Sequence, residues 1–233
     1  MVIGNGLIAN RFKRIALNEN VLLFASGVSN SKEFRRIEFD REEFFLRQCI
    51  ELNLEKHIVY FSTCSIQSSI ETAYIKHKIN MELLIQKNSP SYSIFRLPQV
   101  VGETKNETLI STIFKKILTN SPLVVHKYAV RNLLDVDDLV RIVSVGLKTG
   151  YGLNQINNVA SSSNVGILEL VNEISDLLKI PVNINLEPLG YCENISLNYV
   201  ISLLGDDDKL FIENYWKLVI KKYTKWFQDN YKN

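Results

Sequence analysis

The stretch VYFSTCSIQSSIETAYIKHKINMELL, residues 59–84, changes character halfway along. Its first part continues an apolar, β-branched run (Ile58–Phe61) that reads as a buried strand ending in Ser62-Thr63. Its second part carries Tyr74, Ile75, Lys78, Met81, Leu83 and Leu84 at helical spacing, so a helix is expected over Ser68–Gln86. Tyr74 stands eleven positions beyond Thr63 and Lys78 four beyond that, and residues four apart share one helix face. A hydroxyl at a strand's carboxyl end lies where open α/β sheets bind their ligands. A phenol, with an ordinary pKa of about 10, is a poor acid or base near neutrality. A neighbouring ammonium favours the phenolate and makes proton transfer to or from a carbinol oxygen feasible. Taken singly, a Tyr-xxx-Lys pair is more commonly a packed ring beside a solvated amine.

Outward from this stretch, short apolar runs alternate with amphipathic ones, the α/β signature. Strands are expected at Met1–Gly4, Asn20–Ala25, His57–Ser62, Tyr92–Leu97 and Gln155–Val159. Helices are expected at Ile8–Ala16, Arg41–Leu52 (with Phe44, Phe45, Cys49 and Leu52 on one face), Asp137–Leu147, Ile167–Leu178 and Leu210–Gln228. The opening MVIGNGLIAN has Gly4-Asn5-Gly6-Leu7-Ile8 directly after a three-residue apolar stub. Such a turn cradles a pyrophosphate or merely joins a strand to a helix; alone it does not choose. Only fourteen residues separate Gly6 from Val21, room for one helix, and no carboxylate stands at the next strand's tip, Ala25-Ser26-Gly27, to hold a ribose.

The chain has 233 residues, 46% of them hydrophobic and 22% charged, with a net charge of +2. That balance argues against nucleic acid as a partner, since phosphate neutralisation needs a basic face. Cys49, Cys64 and Cys192 show neither paired spacing nor nearby histidines, so no disulfide framework and no metal site is expected, and a cytoplasmic setting is the default. No apolar run approaches the ~18 residues of a membrane span, and no signal peptide is expected.

The ordered series of Gly-rich turn, FASGVSNS, FSTCS, Tyr74-xxx-Lys78, FRLPQVVG and NLLDVDDLVRIV resembles the extended short-chain dehydrogenase/reductase family, and within it the nucleotide-sugar epimerases, dehydratases and 4-ketoreductases. The resemblance runs from Val2 to about Leu178, and more loosely to the C-terminus. It implies a Rossmann-like, doubly wound parallel sheet over residues 1–160, with 102–130 contributing to a small substrate lobe completed by 161–233. It implies a catalytic triad of Thr63, Tyr74 and Lys78. Contacts to NAD or NADP fall on Gly4, Asn5, Gly6, Leu7, Ile8, Ala25, Ser26, Tyr74, Lys78, Pro98 and Val100, and Arg131 would grip the diphosphate of a nucleotide-sugar substrate. FASG matches the family's fourth strand, so the second and third strands are what the chain lacks. The Asp-Glu pair that performs elimination in the dehydratases is replaced by Cys64-Ser65, so reduction of a sugar keto group is the expected reaction. A C4 epimerase, or a non-catalytic sugar-nucleotide-binding protein of the same fold, are the alternatives. A homodimer through the Arg41–Leu52 and Ser68–Gln86 helices is implied as well.

Several residues invite blander readings. Cys64 reads as a small buried residue without a histidine to activate it. His77, about 100° round the helix from Lys78, is expected to face solvent or a subunit partner. Asp137 reads as a helix N-cap, Asp135 and Asp138 as unrelated to metal, and Arg35-Arg36 as surface charge.

Overall fold

The computed structural model describes residues 1–68, 70–192 and 194–231. In chain order these form β1 (Val2–Ile3), α1 (Leu7–Phe12), β2 (Val21–Phe24), α2 (Arg36–Glu51), β3 (His57–Thr63), α3 (Ala73–Asn88), β4 (Tyr92–Leu97), β5 (Gln99–Val101) and α4 (Leu109–Leu118). There follow β6 (Leu123–His126), β7 (Val130–Asp135), α5 (Val136–Thr149), β8 (Gln155–Asn158), β9 (Asn164–Gly166), α6 (Ile167–Leu178), β10 (Ile184–Glu187), α7 (Asn198–Leu204) and α8 (Tyr215–Tyr231). Two compact units result. The first gathers Met1–Leu97, Asp137–Val159 and Ile195–Leu203; the second takes Pro98–Val136, Ala160–Asn194 and the chain from Leu204 onward.

The first unit is a five-stranded sheet in the order β1-β2-β3-β4-β8, every pair parallel. Parallel strands are covered on both faces, so they read as unbroken apolar runs, and Val21–Phe24 is buried throughout. The pleat sends alternate side chains to opposite faces. Leu22, Phe24, Ile58, Tyr60 and Ile94 meet Leu46, Cys49 and Ile50 of α2 and Met81, Leu84 and Ile85 of α3. On the other face Phe61 lies 5.7 Å from Phe12 of α1, and Phe95 lies 5.9 Å from Tyr199 of α7. α5 joins that side through the Arg11–Asp137 ion pair, whose second bond, Nη2 to Oδ2, is 2.7 Å. The sheet is therefore doubly wound. β1 pairs directly with β2 (Val2 with Leu23, Ile3 with Phe24), and among the described residues no strand lies beyond β1. The half-sheet that would follow β1 in a full nucleotide-binding fold is absent there.

In the second unit β7 pairs with β5 in parallel and with β9 antiparallel, and β6 pairs with β10. Its core includes Phe114 of α4 stacked on Phe227 of α8, ring centres 4.5 Å apart. Among the described residues no helix is long and apolar enough to cross a membrane, and no group of three metal-ligating side chains is gathered.

Several boundaries differ from those the sequence suggests. α3 starts at Ala73 because Cys64–Gln67 folds into a 3-10 turn and the Thr72 hydroxyl accepts the Ile75 N–H at 3.1 Å, capping the helix there. α2 begins at Arg36, and its inward stripe is Glu42, Leu46, Cys49 and Ile50; Phe44 and Leu52 are 65% and 79% exposed. α8 starts at Tyr215, after a 3-10 turn capped by Asp208. Asp137 lies within the first turn of α5, where Arg11 holds it.

Candidate active site

The carboxyl ends of β1, β2 and β3 place most of the predicted site residues in the first unit. Gly4 has φ +120°, and a Cβ there would stand 2.3 Å from the Ala25 carbonyl oxygen, so only glycine lets the two strand tips lie together. The turn is held from its own helix side. Lys13 Nζ donates to the Gly4 carbonyl at 2.7 Å and to Asn5 Oδ1 at 3.0 Å, and the Asn10 amide donates to the Asn5 carbonyl. Gly6, Leu7 and Ile8, where α1 begins, are half-buried, and a Cβ on Gly6 would meet no atom within 4 Å. Ala25 and Ser26 are half-buried beside this turn, with the Ser26 carbonyl accepting from Arg41 Nη1 at 3.4 Å.

Thr63 ends β3. Its Oγ1 accepts the Ser65 N–H at 3.2 Å, which leaves its own hydrogen to donate. The neighbouring Ser62 Oγ is buried with no hydrogen-bond partner, on the face of β3 that also carries Tyr60. Tyr74 packs its ring among Val28, Ile75, Phe39, Ile66 and Ile79. Lys78 lies one helical turn on, its Nζ 5.8 Å from the centre of the Tyr74 ring.

Lys78 is only 2% exposed and is bound to residues the sequence does not single out. Its Nζ donates to Glu42 Oε1 at 3.0 Å and to the Tyr60 hydroxyl at 2.9 Å. Glu42, with no exposure at all, also accepts from the Tyr60 hydroxyl (2.5 Å), the Val28 N–H (2.6 Å) and His77 Nε2 (2.9 Å). Burial pushes the Glu42 carboxyl upward, but Lys78, His77, Tyr60 and Val28 together outweigh it and hold the acid far below the usual range. Burial lowers Lys78, opposed mainly by Glu42. Burial, then the Glu42 charge, lifts Tyr60 well above 10, so it is a neutral donor. Gly27 closes the cage: a Cβ there would stand 2.7 Å from Glu42 Oε1 and 2.8 Å from Lys78 Nζ.

This corrects the expectation for His77. It is buried, stacked on Phe39 at 4.6 Å and turned onto Glu42 rather than to solvent. Glu42 lies on the buried stripe of α2 four residues before Leu46, a face that becomes visible only once the helix is packed. Cys64 is buried and donates to the Arg96 carbonyl at 3.3 Å, and Arg36 is exposed beside Asp40. Pro98, Val100 and Arg131 belong to the second unit and are half-buried. Arg131 Nη1 donates to the Val130 carbonyl at 2.8 Å, with its guanidinium 5.0 Å from the centre of the Tyr191 ring.

The parallel, doubly wound sheet defines a Rossmann-like α/β protein. No protein-family model matches the sequence, and no curated protein matches it. Solved structures are similar. The UDP-glucuronic acid 4-epimerase of Bacillus cereus, determined with UDP-glucuronic acid and NAD, aligns at TM-score 0.75 and 15% identity over 97% of this chain and 80% of that one. The dTDP-glucose 4,6-dehydratase of Bacillus anthracis str. Ames, in complex with NAD, aligns at TM-score 0.74 and 15% identity, covering 90% and 73%. The RMD protein of Pseudomonas aeruginosa, complexed with NADPH, aligns at TM-score 0.73 and 16% identity, covering 91% and 82%. At these identities the likeness establishes the fold.

Proposed function

We propose that this chain is an NAD(P)-dependent oxidoreductase that reduces a keto group on a nucleotide-linked sugar. The observation that carries the reading is the Lys78 ammonium 5.8 Å from the centre of the Tyr74 ring on α3, the helix that follows β3, whose carboxyl end carries Thr63. The fold supports it, being that of proteins solved with NAD, NADPH and nucleotide sugars. Two features support such a cofactor: the Gly4–Gly6 turn, with open space at Gly6, and the Tyr74–Lys78 pair on α3. Gly4, Asn5, Gly6, Leu7 and Ile8, with Ala25 and Ser26, would line the pyrophosphate end; Pro98 and Val100 are assigned to the nicotinamide end and Arg131 to the substrate diphosphate.

The cofactor, when bound, supplies the hydride. Tyr74 donates the proton that turns the carbonyl oxygen into a hydroxyl, Thr63 donates a hydrogen bond to that oxygen, and the Lys78 ammonium stabilises the phenolate left behind. Cys64 donates to the Arg96 carbonyl and stands where the resemblance would put a carboxylic acid, so this reading includes no elimination.

The neighbours' own 4-epimerase activity favours a second reading, C4 epimerisation with a retained NAD. We rank it behind reduction because β1 is an edge strand, with nothing beyond it among the described residues to grip the adenosine. Titration with NADH and NADPH, followed by fluorescence or calorimetry, tests both. Binding of either supports the enzyme reading, whereas no binding at millimolar concentration leaves a non-catalytic protein. Cofactor surviving purification selects the epimerase. Tyr74→Phe is expected to abolish turnover with little change in stability; unchanged turnover would remove the mechanism. A homodimer is part of this proposal, with Phe44 and Leu52 of α2 and Leu83 of α3 exposed as contact residues, and light scattering at the monomer mass would exclude it.

A further inference from the structure

A carboxylate in the apolar stripe of α2 is costly unless its lone pairs are occupied. Those of Glu42 are: Oε1 receives Lys78 and Tyr60, and Oε2 receives Val28 and His77. Lys78, for its part, gives one hydrogen to Glu42 and one to Tyr60, while Gly27 leaves the pair the space it fills. An ammonium so deeply buried sheds its proton readily without an anion beside it. Facing it are Glu42 and Arg41 from α2, Tyr74, His77 and Glu82 from α3, and Tyr60 from β3. Glu82 is engaged by Arg96 at 2.6 Å, and Arg41 opposes the charge rather than supporting it.

We propose that Glu42 is a positioning residue for the reaction: its carboxylate pins the Lys78 ammonium beside Tyr74 and keeps it charged within a closed cage. This rests on the reading of Tyr74 and Lys78 as the reacting pair. Glu42 touches neither substrate nor cofactor in this scheme and acts only through Lys78. The cage also explains why both groups survive burial, since each is the other's counter-charge.

The experiment is a pH titration of Lys78 in the full chain, read from the 13Cε shift of labelled lysine and assigned with Lys78→Met. In Glu42→Gln the Lys78 midpoint should fall by at least about one pH unit, a tenfold change in its protonation equilibrium. The high-pH limb of NAD(P)H-dependent turnover should move down with it. A purely structural role would lower stability while leaving both midpoints in place, and that result overturns the proposal. Glu42→Asp retains the charge and should restore most of the wild-type midpoint and pH limb. If Glu42→Gln does not fold, the aspartate variant, with its carboxylate one methylene shorter, decides: a smaller downward shift supports the proposal and none overturns it. Should the unaltered chain turn over no nucleotide sugar, the functional reading fails, and the lysine titration still tests the cage.

Discussion

Gly27 is explained by what it leaves room for. It follows Ala25-Ser26 at the tip of β2, where the resemblance draws attention to cofactor contacts, yet a Cβ on it would run into the Glu42–Lys78 pair. Both side-chain ends are buried and bonded, so neither can give way as a surface side chain would. Gly27→Ala should therefore cost about 1–3 kcal/mol by overpacking, measured by urea denaturation. The cost should shrink when Lys78→Met removes one of the two crowded atoms, a coupling that a double-mutant cycle reads directly. Lys78→Met alone should cost about 3–5 kcal/mol, because it leaves Glu42 buried without its cation. At this scale the sequence displays Thr63, Tyr74 and Lys78, since their types and spacing carry chemistry. It hides the Glu42 cage, whose members come from β3, α2 and α3 and meet only through tertiary packing.

Among the elements, those whose sequence period matched their burial were legible. Tyr92–Leu97 and Ile167–Leu178 fall where apolar spacing puts them, and the inner strands β2 and β3 are the continuous runs that burial on both faces demands. α2 shows the opposite: Phe44 and Leu52 draw the eye to one face, while Glu42, Leu46, Cys49 and Ile50 form the buried one. The short strands β5, β6, β7, β9 and β10 were not distinguished, because runs of three to six residues fit strand, turn or helix end alike. α3 was legible in existence but not at its start, which Thr72 sets. Thr72→Ala removes the hydroxyl that accepts the Ile75 N–H and should cost about 1 kcal/mol. Because α3 begins one residue before Tyr74, the same change should also reduce turnover more than it lowers the melting temperature would suggest. Equal turnover at a temperature well below melting would show that the cap acts on stability alone.

Across the whole molecule, three groups make acid stability stepwise. His57 is a half-buried imidazole with Nδ1 2.7 Å from Ser91 Oγ and Nε2 3.0 Å from Ser93 Oγ, and its partial burial lowers its pKa from 6.5. Glu33 is held at about 2, first by its bonds to Arg35, and Glu42 is held lower by the cage. All three have folded-state pKa values below their unfolded ones, so the unfolded chain takes up protons first as pH falls. Their stabilisation is complete above the unfolded pKa and is lost on the way down to the folded one. The melting temperature should therefore begin to fall below about pH 6.5 as unfolded His57 protonates, and fall more steeply below about 4.5, when Glu33 and Glu42 join it. Glu42→Gln should flatten the lower limb without touching the upper one, whatever it does to stability at neutral pH. Calorimetric melts from pH 8 down to pH 3 measure both limbs. A lower limb of unchanged slope in the variant would mean that Glu42 is already protonated in the folded chain, and that the charge assigned to the Lys78 cage is wrong.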